Sequence, residues 1–273
     1  MKTAIVVSIS PTSFEALAMS ADVDRAFKLS SELGFDAVEV AVRDPAKVTA
    51  ASIIEKANKN GLNIAAIGTG QAWVEEGLSL TSPDADKRRL AMERLKAQVD
   101  LSKELSAQVI IGLIRGTVDN KDDIPGALDV LATAMSDLGE YAKDTGAPGL
   151  LIEPINRYET RLLNSVEQTV EFMKRLSGLP VKILADTFHM NIEDRDMAAS
   201  IKMAGAALGH VHFADSNRWA PGQGHIDFGP ILSALSEMGY EGYLSAEIMA
   251  EPSPEEAMEL AAGFFRKAVK NLQ

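Results

Sequence analysis

Val181-Lys182-Ile183-Leu184-Ala185-Asp186 is a short, mostly apolar run that closes on an acid. Seven further runs are built like it, at residues 3–7, 37–42, 63–68, 108–113, 150–153, 208–213 and 243–247. They are apolar along most of their length rather than alternating, as strands covered on both faces should be. Longer amphipathic stretches lie between them, residues 87–105 and 124–143 being the clearest. Helix starts are signalled at Ser82-Pro83-Asp84, Ser165-Val166-Glu167-Gln168 and Ser253-Pro254-Glu255-Glu256, where a capping hydroxyl is followed by proline or by a capping-box partner. Strict strand–helix alternation implies right-handed crossovers and a parallel sheet. Eight units predict an α/β protein closed into a (β/α)8 TIM barrel, an open doubly wound sheet being the other arrangement of the same parts. Spread over 273 residues, each unit takes about 34 residues, close to one strand and helix with their loops. No linker, low-complexity segment or composition shift divides the chain, so a single barrel domain is expected over 1–273.

Composition narrows the function. Apolar residues are 46% and charged residues 24%, enough for a sizeable core and against disorder. There is no cysteine, which excludes disulfides, zinc–thiolate sites, iron–sulfur clusters and thiol nucleophiles together. A reducing, cytoplasmic setting is compatible and is the expected location. The net charge of −12 would repel a phosphate backbone or an anionic membrane, so neither is an expected partner. The first ten residues hold one lysine and a short apolar run, read as a strand rather than a signal peptide. No apolar stretch approaches the roughly 18 residues of a membrane span. A homo-oligomer is compatible with all of this.

The last four runs deliver one metal-type side chain each near the same rim: Glu153, Asp186, His212 and Glu247. Consecutive barrel strands are neighbours, so these four can converge. A lone acid at a strand end usually caps a helix or pairs with a loop, but four in succession are hard to explain that way. Three carboxylates and one imidazole suit a hard or borderline divalent cation, Mn²⁺, Mg²⁺ or Co²⁺. Of the two histidines in the seventh run, only His212, nearer the rim, is expected to point inward, leaving His210 packed or at the surface. The four histidines of the chain are too few for a trinuclear zinc nuclease. A divalent ion chelated by a ketone oxygen and the neighbouring hydroxyl would acidify the C–H between them. Glu153 and Glu247, separated by two intervening strands, could then serve as base and acid on opposite faces, giving epimerisation. A proton carried to the adjacent carbon would give aldose–ketose isomerisation instead.

Longer motifs surround these positions. Glu153-Pro154-Ile155-Asn156-Arg157-Tyr158-Glu159-Thr160, Ala185-Asp186-Thr187-Phe188-His189-Met190-Asn191-Ile192-Glu193 and Ala214-Asp215-Ser216-Asn217-Arg218, with Pro221-Gly222-Gln223-Gly224-His225, resemble the xylose-isomerase-like barrel superfamily. Within it they are most similar to ketose 3-epimerases of the tagatose/allulose type. Ala41-Val42-Arg43-Asp44-Pro45 and Ile67-Gly68-Thr69-Gly70-Gln71-Ala72 look like the 5-keto-L-gluconate epimerases of that group. The resemblance implies that Glu153, Asp186, His212 and Glu247 bind one divalent ion, manganese first, and that the two glutamates are the acid–base pair. It further implies that Glu159, His189 and Arg218 hold substrate oxygens around C1 to C3. The implied activity is metal-dependent epimerisation at C3 of a keto sugar or keto sugar acid. Aldose–ketose isomerisation, or dehydration of an inosose or dehydroshikimate-like substrate, would use the same metal site.

Read from the residues alone, His189 could be a surface histidine, Glu159 could pair with Arg157 or Arg161, and Arg218 could be solvated. Arg115 directly follows the fourth run and could bind a substrate carboxylate bidentately, or else pair with Asp119. Trp73, in the loop expected after the third run (residues 69–81), could wall the pocket or pack as a loop anchor. Other chemistries lack their residues. Gly68-Thr69-Gly70 misses the third glycine of a dinucleotide fingerprint, and no lysine closes a strand where a Schiff base would need it. The turns after the eighth run have no glycine cluster for a phosphate.

Overall fold

The protein, seen in a computed structural model, is described for residues 1–19 and 22–270. Eight strands, β1 (Lys2–Ser8), β2 (Ala37–Ala41), β3 (Asn63–Gly68), β4 (Gln108–Ile111), β5 (Leu150–Ile152), β6 (Val181–Asp186), β7 (Leu208–His212) and β8 (Tyr243–Ala246), close in sequential order into a parallel barrel. The helices are α1 (Val23–Glu32), α2 (Ala50–Lys59), α3 (Gly70–Glu76), α4 (Ala85–Leu105), α5 (Ile124–Thr145), α6 (Val166–Met173), α7 (Thr187–Glu193), α8 (Met197–Ala204), α9 (Phe228–Glu237) and α10 (Pro254–Lys270). Pairing of β1 with β8, Lys2 opposite Tyr243, shuts the cylinder. The open doubly wound alternative is thereby excluded. Among the described residues no helix is long and apolar enough to cross a membrane.

Several local expectations shift by a few residues for identifiable reasons. The expected start at Ser82-Pro83 moves on by one turn element, because Asp84 accepts from the N–H groups of Asp86 and Lys87 and caps α4, while Ser82 supports Asp84. At α6, Ser165 caps Gln168 as expected, but the Gln168 amide oxygen accepts from Asn164 rather than from the cap residue. Ser253 caps Glu256 at the start of α10. The long segment after β3 contains a short helix, α3, which closes on Gly77 in the left-handed conformation.

Strand alternation sorts the side chains into two layers. Ile5, Val7, Val38, Val40, Ile67, Val109, Ile111, Ile152, Ile183, Ala185, Val211 and Leu244 face the helices and form one continuous core. The alternate residues face the axis, where Ala66, Ile110, Leu151 and Leu184 make a small separate cluster. Above it, toward the carboxyl ends of the strands, the inward positions turn polar or small. Both histidines of β7 belong to this inner layer. The expectation that only one could point inward is corrected by elementary strand geometry: residues two apart share a face. His210 and His212 are accordingly both buried.

One glycine sets the register of β5 against β6. Gly149 has φ +110°, and an added Cβ would lie 2.3 Å from the Pro180 carbonyl oxygen, the same oxygen that accepts from Leu150 N–H. Gly149→Ala is expected to destabilise the fold by about 2–4 kcal/mol, read as a lower denaturation midpoint with an unchanged slope.

Candidate functional site: a carboxylate–imidazole centre at the barrel mouth

The four expected ligands converge. One donor atom each from Glu153, Asp186, His212 and Glu247 lie within 4.8 Å of one another. Glu153 and Glu247 sit just beyond the ends of β5 and β8, whereas Asp186 and His212 are the last residues of β6 and β7 and are paired in register. His212 Nδ1 is 3.9 Å from Glu153 Oε1, 3.9 Å from Asp186 Oδ2 and 3.5 Å from Glu247 Oε2. Glu153 Oε1, Asp186 Oδ2 and His212 Nδ1 are buried without any hydrogen-bond partner. Three orphaned lone-pair atoms aimed at one point are a costly arrangement unless a cation shares it. The donor set, three hard oxygens and one imidazole nitrogen, fits Mn²⁺, Co²⁺ or Mg²⁺.

The electrostatics agree with that fit. Burial, with repulsion from Glu247, pushes the Glu153 carboxyl well above the usual carboxylate range. Burial also lifts Asp186 to about 6, against the pull of Arg218 and His212. Glu247 moves the other way: burial would raise it, but His212 and Arg218 outweigh that and hold it ionised. Arg218 forms an ion pair with Glu247, reaches Asp186 Oδ2 at 3.5 Å and lies 4.6 Å over the Phe188 ring.

Glu159 and His189 flank this centre. His189 Nδ1 meets the Asn156 side-chain amide at 2.8 Å, and the same amide donates to Glu159 Oε1 at 2.8 Å. The other imidazole nitrogen faces inward, 3.8 Å from Glu153 and 3.4 Å from Arg218. Burial and the neighbouring Arg218 push the His189 imidazole well below its usual range, so it is a neutral hydrogen-bonding ring. Glu159 does not pair with Arg157, which is clamped by Glu193 of α7. A cavity opens beside these groups. Its lining also includes Ala41, Gly68, Gly70 and Gln71, with Gly112 directly beside Glu153, and Phe14 and Leu17.

Two expected site residues lie elsewhere. Arg115 is fully buried, and its guanidinium donates to the carbonyls of Gly112, Leu162 and Leu163. Its donors are committed to holding the segments after β4 and β5 together, so it offers nothing to a substrate carboxylate, and it does not pair with Asp119. Trp73 is on α3, turned toward an outer depression with Val74 and Val130. Gly70 and Gln71, on the inner side of the same helix, take the wall position expected for it.

Sequence reasoning missed three contributors. Glu39, 1% exposed, contacts both histidines of β7. Its signal was a charge in the middle of an apolar run. Asn156 links Glu159 to His189. Asp215 accepts from the N–H groups of Ser216, Gly222 and Ile226 and so folds the loop that carries Arg218.

The comparisons follow this geometry. The family described as Xylose isomerase-like TIM barrel matches residues 27–268, and the chain belongs to it. The D-psicose 3-epimerase of Ruminiclostridium cellulolyticum is 32% identical over 230 residues, 80% of this chain and 75% of that protein. The L-ribulose 3-epimerase of Mesorhizobium japonicum is 28% identical over 255 residues, 93% of this chain and 84% of that protein. The crystal structure of D-psicose 3-epimerase with D-tagatose from Clostridium cellulolyticum superposes with a TM-score of 0.83 at 26% identity, covering 98% of this chain and 99% of that one. The protein is an enzyme of the isomerase class, related to the ketose 3-epimerases.

Three outcomes are expected from this geometry. Gly112→Ala would place a Cβ 2.6 Å from Glu153 Oε2, so the carboxylate must move, and turnover should fall about 100-fold with the melting temperature nearly unchanged. Glu75 on α3 accepts from Thr12 Oγ1 and from the N–H and hydroxyl of Ser13, tying down the segment that carries Phe14. Glu75→Ala should raise KM several-fold without lowering stability. Asp186 holds its proton to about 6 in the folded chain against 3.8 as a free side chain. Its favourable contribution is complete below the lower value and lost as pH rises through the higher one. The metal-free Asp186→Asn protein should therefore melt higher than wild type at pH 8, and added Mn²⁺ should no longer stabilise it.

Proposed function

We propose that the protein is a divalent-metal-dependent 3-epimerase of a keto sugar or keto sugar acid, with Glu153 and Glu247 as its acid–base pair. The observation that carries this reading is the set of unpartnered donors on Glu153, Asp186 and His212 facing one point beside an open cavity. A divalent ion held there by Glu153, Asp186, His212 and Glu247 supplies Lewis acidity to a ketone and its neighbouring hydroxyl. Glu247, ion-paired with Arg218, takes the proton from the carbon between them. Glu153, carrying a proton, returns it from the other face, and the stereocentre inverts. In the reverse direction the two exchange roles. His189 and Arg218 hold the oxygens that carry the developing charge, and Glu159, aligned by Asn156, accepts from a substrate hydroxyl. Leu17, Phe14 and Ile155 exclude water from the far side of the pocket.

The relatives named for D-psicose and L-ribulose support a ketose as substrate. A keto sugar acid of the 5-keto-L-gluconate or D-tagaturonate kind is supported by the sequence resemblance alone. The stretches that resemble epimerases of such acids contribute Ala41, Gly68, Thr69, Gly70 and Gln71, which line the cavity. Arg115 plays no part in that preference, so a substrate carboxylate would meet neutral groups there.

The deciding experiment follows solvent deuterium into ketoses and keto-uronates by NMR with Mn²⁺ present. Exchange confined to C3 is expected. Glu153→Gln and Glu247→Gln should each reduce it by about 10³-fold or more while weakening Mn²⁺ binding. Label moving between C1 and C2 would make the enzyme an aldose–ketose isomerase, and an ultraviolet-absorbing product would make it a dehydratase. Full exchange in the metal-free protein would sink the mechanism.

A further inference from the structure

Glu39 lies in the middle of β2, whose other residues are Ala37, Val38, Val40 and Ala41. An ionised carboxylate among such neighbours needs partners, and here it has no lysine or arginine. Its oxygens are met by His210 Nε2 at 2.8 Å and by His212 Nε2 at 3.1 Å to each oxygen. The two rings pack edge to face, 5.3 Å between centroids, so each buttresses the other along the inner face of β7. All three residues are buried.

A carboxylate can only accept, so both Nε2 atoms must donate to it. That fixes where the proton of His212 resides. With Nε2 protonated, a neutral His212 presents a bare lone pair at Nδ1, the atom that faces Glu153, Asp186 and Glu247 and has no other partner. We propose that Glu39 is the positioning residue of the metal centre: through Nε2 it sets the tautomer and ring orientation of His212, with His210 as a second arm that keeps the carboxylate from turning away. The negative charge behind the ring also makes Nδ1 a stronger donor, as outer partners of ligating histidines do. Glu39 lines the cavity, but its carboxylate oxygens are taken up by the two imidazoles. Its influence passes through His212 alone.

The inference rests on the metal-dependent reading above and has its own test. Glu39→Gln keeps the side-chain volume but replaces one of the two oxygens that His212 Nε2 meets at 3.1 Å with an NH₂, setting a donor against the Nε2–H and favouring the other tautomer of His212. Mn²⁺ affinity, read from free Mn²⁺ by EPR, is expected to fall about 10- to 100-fold, with the barrel's circular dichroism retained. His210→Gln, which leaves the Glu39–His212 contact in place, is expected to weaken binding less. In the Mg²⁺-loaded wild type, ¹⁵N NMR should show His212 protonated at Nε2 and bare at Nδ1, a measurement that decides the matter even if the variant fails to fold. A folded Glu39→Gln protein with wild-type Mn²⁺ affinity, or a loaded His212 protonated at Nδ1, overturns the proposal and leaves the epimerase reading standing. Wild-type protein that binds no Mn²⁺ overturns both.

Discussion

Three buried carboxylates are forced toward one point at the mouth of a closed barrel, and most of the surrounding structure answers that repulsion. The barrel cannot relieve it by opening, since each strand is hydrogen-bonded on both sides. Relief comes from cationic or donor groups brought in from elsewhere. His212 stands between the acids, Arg218 reaches across from the β7–α9 loop, and Glu39 anchors His212 from behind. Glu153 is the least compensated of the three acids. That asymmetry separates it from Glu247, raising one carboxyl's affinity for a proton and lowering the other's within one shared environment.

The barrel divides its labour between two halves. Strands β5 to β8 end in donors: Glu153, Asp186, His212 and Glu247. Strands β2 to β4 carry Ala41, Gly68 and Gly112 at the corresponding inward height. The small residues supply the space that the donors work on. At Gly112 the two requirements meet, because any side chain there would occupy the position of a Glu153 oxygen. Small residues opposite the ligands are as much part of the site as the ligands themselves.

Much of this was legible in the sequence because a strand has a period of two and a barrel has fixed neighbours. Strand-end acids on consecutive runs had to meet if the sheet closed, and the four ligands needed no further information. Glu39 obeyed the same logic, but its significance depended on β2 lying across the axis from β7, a relation that sequence adjacency does not express. Arg115 shows the opposite failure. Its place after β4 suggested a rim residue free for substrate, yet the chain turns inward there through a 3₁₀ segment, Leu113–Arg115, and the guanidinium is consumed by backbone carbonyls. Trp73 was misplaced because the segment after β3 was read as loop. Once that segment is a helix, Gln71 and Trp73 must face different ways.

Arg218 exposes the remaining constraint. It is a non-glycine residue at φ +60°, in a region that costs an L-amino acid roughly 1 kcal/mol or more. The conformation persists because the backbone is held on both sides: its N–H donates to the Asp215 carbonyl at 2.8 Å, and its own carbonyl accepts from Met249 N–H at 2.8 Å. Asp215 in turn gathers the N–H groups of the loop around one carboxylate, leaving room for nothing larger than glycine at position 224, where an added Cβ would lie 2.2 Å from its oxygen. A relaxed backbone at 218 would send the side chain along a different path, away from Glu247 and Phe188. The strain is therefore tied to where a positive charge must stand, and the hydrogen bonds of the loop hold one guanidinium aimed into a pocket of acids.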